Sequence, residues 1–168
     1  WSLKRQSLVM QLSHVNQQGE ANMVDVSGKA VTTREAIAEG ELHLSAEALA
    51  QVKNNSAAKG DVLAVARIAG IQGAKQCASL IPLCHPLALS KVDIEFTLDE
   101  QNNRIITRCR CKLNGQTGVE MEALTGVNVA LLTLFDMCKA VDPAMIMTNV
   151  RVLHKQGGKS GQWSRDEG

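Results

Sequence analysis

Asp136 and Lys139 are charges placed where charges are rarely found. They lie in the run Ala123 to Val141, which is otherwise apolar on nearly every side. Residues three apart on a helix occupy neighbouring rows of one face, so this acid and this base can touch. A helix that is hydrophobic all round belongs inside a protein. Buried charges come in pairs, and a buried lysine is readily pushed toward a pKa suited to proton transfer. The pair therefore predicts either acid/base chemistry or a structural ion pair anchoring a core helix, and these two residues alone favour neither. A membrane span is the poorer account. Each central charge costs ~2.5–3.5 kcal/mol on insertion scales, and Gly126 and Asn128 interrupt the run.

Four further groups carry reactive or charged side chains. Lys59-Gly60-Asp61 sets a lysine beside a helix start, where the macrodipole and free N–H groups favour anions; taken alone, an ordinary solvated lysine is the better account. Leu83, Cys84 and His85 stand between Pro82 and Pro86, a rigid place for a donor or general acid, although a lone histidine is more often structural. Glu120-Met121-Glu122 puts two acids at the mouth of the apolar helix, where pairing with the helix dipole is enough to account for them. The run from Lys155 to Gly161 looks like a phosphate loop but has Leu153 where that pattern needs glycine, and little chain remains for the helix that should follow. It reads as a basic strap over phosphates or as a disordered tail. Glu122 and Asp136 are fourteen residues apart, or ~21 Å on one straight helix. A single small-molecule site using both would draw one of them from a second subunit.

The elements that must position these groups follow from the pattern of side chains. Residues 1–22 are polar and read as a flexible N-terminal arm. Met23–Ser27 and Val31–Glu39 read as extended, and Ser45–Lys53 as a short helix with Glu47 in its first turn. Asp61 is expected to cap a helix running to Leu80, with Gly70 and Gly73 present for close packing rather than for propensity. Val92, Ile94, Phe96 and Leu98 alternate with Asp93, Glu95 and Thr97, the pattern of a half-buried strand. Arg104–Leu113 returns after a turn to make a hairpin. Met145–His154 is the last expected strand, ahead of a Gly-rich basic tail over 155–168. This order predicts an α+β, ferredoxin-like split βαβ fold over 23–154, an antiparallel sheet covered by helices on one face. Ile106 adds an apolar side chain to the other face, which predicts that the open side is buried against another subunit.

Composition narrows the function. The chain has 168 residues, enough for one domain with a real core. Lys plus Arg number 18 against 17 Asp plus Glu, so no net field draws nucleic acid or an anionic membrane, and any anion site must be a local cluster. The only aromatics are Trp1, Phe96, Phe135 and Trp163, which leaves an aliphatic core. Cys77, Cys84, Cys109, Cys111 and Cys138 form neither a disulfide framework nor a CxxC pair, and the histidines lack zinc spacing. Cys109 and Cys111 would share one strand face as small buried thiols. Such usage predicts a reduced protein of the cytoplasm, or of the mitochondrial matrix if the source is eukaryotic. An opening at Trp1 suggests processing, excision from a longer chain, or trimming.

Together these motifs resemble one family. Met-Val-Asp-Val at 23–26, Lys-Gly-Asp at 59–61, Ala-Arg-Ile-Ala-Gly-Ile at 66–71, Ile-Pro-Leu-Cys-His-Pro at 81–86, Thr-Gly-Val-Glu-Met-Glu-Ala-Leu-Thr at 117–125, Asp-Met-Cys-Lys-Ala-Val at 136–141 and Gly-Gly-Lys-Ser-Gly at 157–161 occur in order. They resemble the cyclic pyranopterin monophosphate synthase (MoaC) family of early molybdenum-cofactor biosynthesis, over nearly everything from His14 to Gly161. The resemblance implies a ferredoxin-like subunit in a homo-hexamer, a trimer of dimers, with active sites between subunits. It implies a phosphorus–oxygen lyase acting after a radical S-adenosylmethionine enzyme. The substrate would be (8S)-3′,8-cyclo-7,8-dihydroguanosine 5′-triphosphate, a cyclised GTP, and the products cyclic pyranopterin monophosphate and diphosphate. No resident cofactor is implied, though Mg2+ could accompany the triphosphate.

Family roles fall on Lys59 and Lys139 as acid/base lysines, with Asp136 as the active-site acid. Leu83, Cys84, His85, Met121 and Glu122 match substrate-binding segments, and Glu120, Asp25, Arg34, Lys75 and Lys155 match the polar and basic pocket lining. Phe135 and Gln156 depart from the tyrosine and serine common in relatives; neither change removes a charge. The rival class is a non-catalytic, ferredoxin-like module that binds nucleotide or RNA. RNA readout on such a sheet uses exposed aromatics, of which the expected strands hold only Phe96.

Overall fold

The computed structural model describes residues 16–159 and 161–166. Most of the expected N-terminal arm, residues 1–15, lies outside the described residues. The central strand is β1 (Thr32–His43), flanked antiparallel by β3 (Arg104–Gly115) and β4 (Ile146–Gln156). β2 (Lys91–Asp99) pairs with β3 on one side and β5 (Gln162–Ser164) with β4 on the other, so the sheet order is β2-β3-β1-β4-β5. Among the described residues there are also four helices: α1 (Ala46–Lys53), α2 (Val62–Lys75), α3 (Cys77–Leu80) and α4 (Glu120–Cys138). Strands β1 to β4 with α2 and α4 form the expected ferredoxin-like split βαβ sheet.

Side-chain alternation decides which face the helices cover. On β1, Ala36, Ala38 and Leu42 are fully buried toward them, as are Ile105, Cys109 and Cys111 on β3. Opposite lie Val127, Ala130, Leu131 and Leu134 of α4, also fully buried. By length and composition α4 could cross a bilayer. Its apolar surface is spent instead on β1, β3 and β4. Gly40 lets it come close, because a Cβ there would meet Leu131 and Val127 at 2.8 Å.

The same device sets α2 against α4. A Cβ on Gly73 would meet Val129 at 2.6 Å, and one on Gly70 would meet the Gly126 carbonyl oxygen at 3.0 Å. The expectation that these glycines serve packing holds. Cys77 of α3 meets Thr125 near the start of α4, whereas Lys59, before α2, meets Asp136 near the end of α4. The two helices therefore run antiparallel.

Several boundaries differ from expectation. Met23–Val26 joins no sheet; it runs without regular structure into a turn at 27–29, and Asp25 accepts a bond from the Ser27 N–H at 2.9 Å. β1 continues past Glu39 to His43. The expected helix to Leu80 breaks at Gln76, whose φ of −102° and ψ of 13° leave the helical region. α4 begins three residues before Ala123 and ends at Cys138, leaving Lys139 as its C-cap. The tail is not a loose strap: β4 runs through Lys155 and Gln156, the chain turns at Gly157, Gly158 and Gly161 with positive φ, and β5 returns.

The open face of the sheet carries a grid of ion pairs around Ile106. Glu39 lies between Arg108 at 2.6 Å and Arg151 at 3.2 Å, and Glu35 is 3.2 Å from Arg110. Burial opposes ionisation of Glu41, yet hydrogen bonds from Asn149 and Arg104 hold its carboxyl below the ordinary range. Ile106 is half-buried within this grid.

Candidate active site

The first cluster forms where the start of α2 meets the end of α4. Lys59 stands in a loop closed by Gly60, whose φ of 104° favours glycine, and Asp61 caps α2 by accepting from the Ala64 N–H. That fixes the lysine beside the last turn of α4. Lys59 Nζ lies 3.1 Å from Asp136 Oδ2, and Lys139 Nζ lies 3.1 Å from Asp136 Oδ1. One carboxylate thus holds two ammonium groups from distant segments. Hydrogen bonds from Lys59 and then Lys139 keep the Asp136 carboxyl below the usual carboxylate range.

The expected burial of this pair is not found in the single chain. The side chains of Lys59, Asp136 and Lys139 are 49%, 54% and 56% exposed. The apolar run misleads because only part of α4 faces the sheet, and the run's last turn reaches the rim, where both charges point outward.

A second cluster surrounds the opposite end of the same helix pair. Glu122 is buried at 4% exposure, and burial raises its carboxyl pKa, with the charge of Glu120 adding to the effect and a bond from Cys77 opposing it. Burial likewise pushes the Cys77 thiol up to about 12 and raises that of Cys84. These two thiols are polar lining, not nucleophiles. His85 Nε2 faces the Val24 carbonyl oxygen, so that nitrogen carries the hydrogen and donates it. This bond ties the segment before β1 to the Pro82–Pro86 loop and sets Asp25 near His85. Hydrogen bonds from Ser27 hold the Asp25 carboxyl low. Leu83 is half-buried in that loop, Met121 is exposed beside Glu122, and Lys75 is exposed at the end of α2 on this side.

Next to Glu120 opens a cleft of about 610 Å³. Arg34 and Lys155 line it, as expected. Lys155 Nζ is 3.5 Å from Glu120 Oε1, and Arg34 Nε donates to the Gly115 carbonyl oxygen at 3.3 Å. A Cβ on Gly157 would strike the Thr33 carbonyl oxygen, and one on Gly158 would strike the Arg34 guanidinium, so the glycine turn rests directly on Arg34. Lys159, from the run read as a basic strap, also lines the cleft, as do Lys29, Thr32 and Trp163, which sequence reasoning missed. Lys29 stands close to the Met-Val-Asp-Val motif, but only the folded path of residues 23–31 brings it here. Four cations against one carboxylate make this an anion site.

The expected residues therefore gather as two groups, at opposite ends of α4. Lys59, Asp136 and Lys139 form one; the second holds Asp25, Arg34, Lys75, Leu83, Cys84, His85, Glu120, Met121, Glu122 and Lys155. The span from Glu122 to Asp136 keeps the groups ~21 Å apart in one chain. Among the described residues, no three His, Cys, Asp or Glu stand close enough to share a metal ion.

The chain is 52% identical over 156 residues to the cyclic pyranopterin monophosphate synthase of Heliobacterium modesticaldum, an alignment covering 93% of this chain and 98% of that protein. Among solved structures, a likeness to the ferredoxin protease FusC in complex with Arabidopsis ferredoxin reaches a TM-score of only 0.34 at 17% identity, over 71% of this chain and 12% of that one. A match that weak carries no argument. The model of the MoaC family matches residues 23–158, and with the strong relative above it establishes that the chain belongs to the MoaC family.

Proposed function

We propose that this protein is a lyase of molybdenum-cofactor biosynthesis. It converts (8S)-3′,8-cyclo-7,8-dihydroguanosine 5′-triphosphate to cyclic pyranopterin monophosphate and releases diphosphate. Membership of the MoaC family supports the reaction, and the Lys59–Asp136–Lys139 cluster is the observation that carries the chemistry. A ribose hydroxyl attacks the α-phosphorus; an O–P bond forms, the bond from that phosphorus to the bridging oxygen breaks, and the diphosphate takes the electron pair. A base must accept the hydroxyl proton, and cations must stabilise the charge growing on the leaving group. Lys59 and Lys139 serve the proton transfers, which include those that rebuild the purine as a pterin. Arg34 and Lys155 hold phosphates, and His85 with Glu122 belongs to the substrate-binding lining. Mg2+ arriving with the triphosphate would count as part of the substrate.

The ~21 Å between the two clusters supports a site completed by a second subunit, the Lys59 group of one protomer facing the cationic cleft of its neighbour. A homo-hexamer, fed by an upstream radical S-adenosylmethionine enzyme, is the assembly this reading takes. Mixing the purified protein with the cyclised nucleotide tests the reaction. Stoichiometric diphosphate and a pterin product are expected; saturable binding with no diphosphate would instead identify a nucleotide-binding module.

A further inference from the structure

Trp163 is an indole 41% exposed on β5, in a chain with only four aromatic residues. It stands directly opposite Lys155 across the β4–β5 ladder. Directly opposed residues project to the same face of a sheet, so the indole and the Lys155 ammonium belong to one surface. Both line the cleft together with Lys29 and Arg34. The Arg165 guanidinium lies 5.5 Å from the ring centroid and donates to the Val152 carbonyl oxygen at 2.9 Å. Arg165 does not line the cleft, and its guanidinium steadies the indole by a cation–π contact.

An exposed indole in contact with a cation and bordering a group of phosphate-binding cations matches a ligand that joins a flat fused ring to phosphates. Base–aromatic stacking needs only a π-face, and the sheet's other strands offer the cleft none. We infer that Trp163 is a ring-binding residue, and that its indole stacks on the heterocycle of the nucleotide while Lys29 and Arg34 take the phosphates. The inference rests on the reading of the substrate given above. It assigns the β4–β5 hairpin the task of selecting nucleotides over other polyphosphates.

The test uses the 168-residue chain with Trp1→Phe, which leaves Trp163 as its sole tryptophan, and Lys139→Ala to slow turnover. The cyclised nucleotide should quench Trp163 emission saturably. Inorganic tripolyphosphate, which has the charge but no ring, should compete for the cleft without quenching. In steady state Trp163→Ala should raise KM about tenfold, with kcat within about twofold, because a contact made equally in ground and transition states affects binding alone. Trp163→Phe should restore most of the loss. Equal quenching by tripolyphosphate and nucleotide, or a Trp163→Ala enzyme with wild-type KM, would overturn the assignment. A wild-type protein that releases diphosphate while either of those results holds would leave the reaction standing and remove only Trp163 from it.

Discussion

An aspartate in the last turn of a helix faces the negative end of the macrodipole, so Asp136 does not stabilise α4 by its position. It is compensated by two lysines, each 3.1 Å away. Lys59→Ala and Lys139→Ala should each cut kcat by about 10²–10⁴, the usual effect of removing a positioned acid/base group, while gel filtration shows the assembly unchanged. Near-normal turnover of either variant would remove that lysine from the mechanism. Glu122 gives a prediction in stability. Burial raises its pKa above the ordinary 4.5, so the folded state binds its proton more tightly than the unfolded chain does. That contribution is fully present below 4.5 and is lost as pH rises through the folded value. Glu122→Gln should therefore melt above wild type at pH 7, with the gap shrinking toward pH 4; a gap that grows on acidification would contradict the burial argument. At this scale the contact between Asp136 and Lys139 was legible, because three residues on a helix is a fixed geometry. The arrival of Lys59 was not, since no local spacing encodes how two helices cross.

Between elements, glycines set the distances. Gly73 lies against Val129 so closely that Gly73→Ala must push α2 from α4, and overpacking of this kind costs about 1–3 kcal/mol, read as a lowered melting temperature. Because the same helix pair holds Lys59 beside Asp136, turnover should fall with it. Gly157→Ala acts differently. Its φ of 109° and the Thr33 carbonyl oxygen both exclude a Cβ, so the β4–β5 turn should shift and weaken substrate binding with little change in global melting. The strand with clean alternation, β2, its hairpin partner β3 and the capped starts of α1 and α2 were readable from residue type. The β4–β5 hairpin was not, because a run rich in glycine and lysine has the composition of a disordered tail, and only its pairing with β4 gives it a partner. The rim position of Asp136 was hidden for a related reason: hydrophobicity along the chain does not say where a sheet ends.

For the molecule as a whole, the antiparallel α2–α4 pair places an acid/base cluster at one end and a cationic cleft at the other. The sheet's open face adds a grid of ion pairs in which Glu39 and Glu41 are buried by the chain's own arginines and an asparagine. A reading by periodicity located the sheet and its helices but missed the ion pairs of the open face, since alternation counts hydrophobic positions and does not see which charges meet. The proposed function turns on the separation of the clusters. If each active site joins the Lys59–Asp136–Lys139 group of one subunit to the cleft of another, two differently damaged subunits can rebuild an intact site. Lys139→Ala and Lys155→Ala, each inactive alone, should be unfolded together, refolded at equal concentration and assayed for diphosphate release from the cyclised nucleotide. Random pairing across such interfaces should restore about a quarter of the wild-type sites, and a mixture no more active than its separate components would contradict the account.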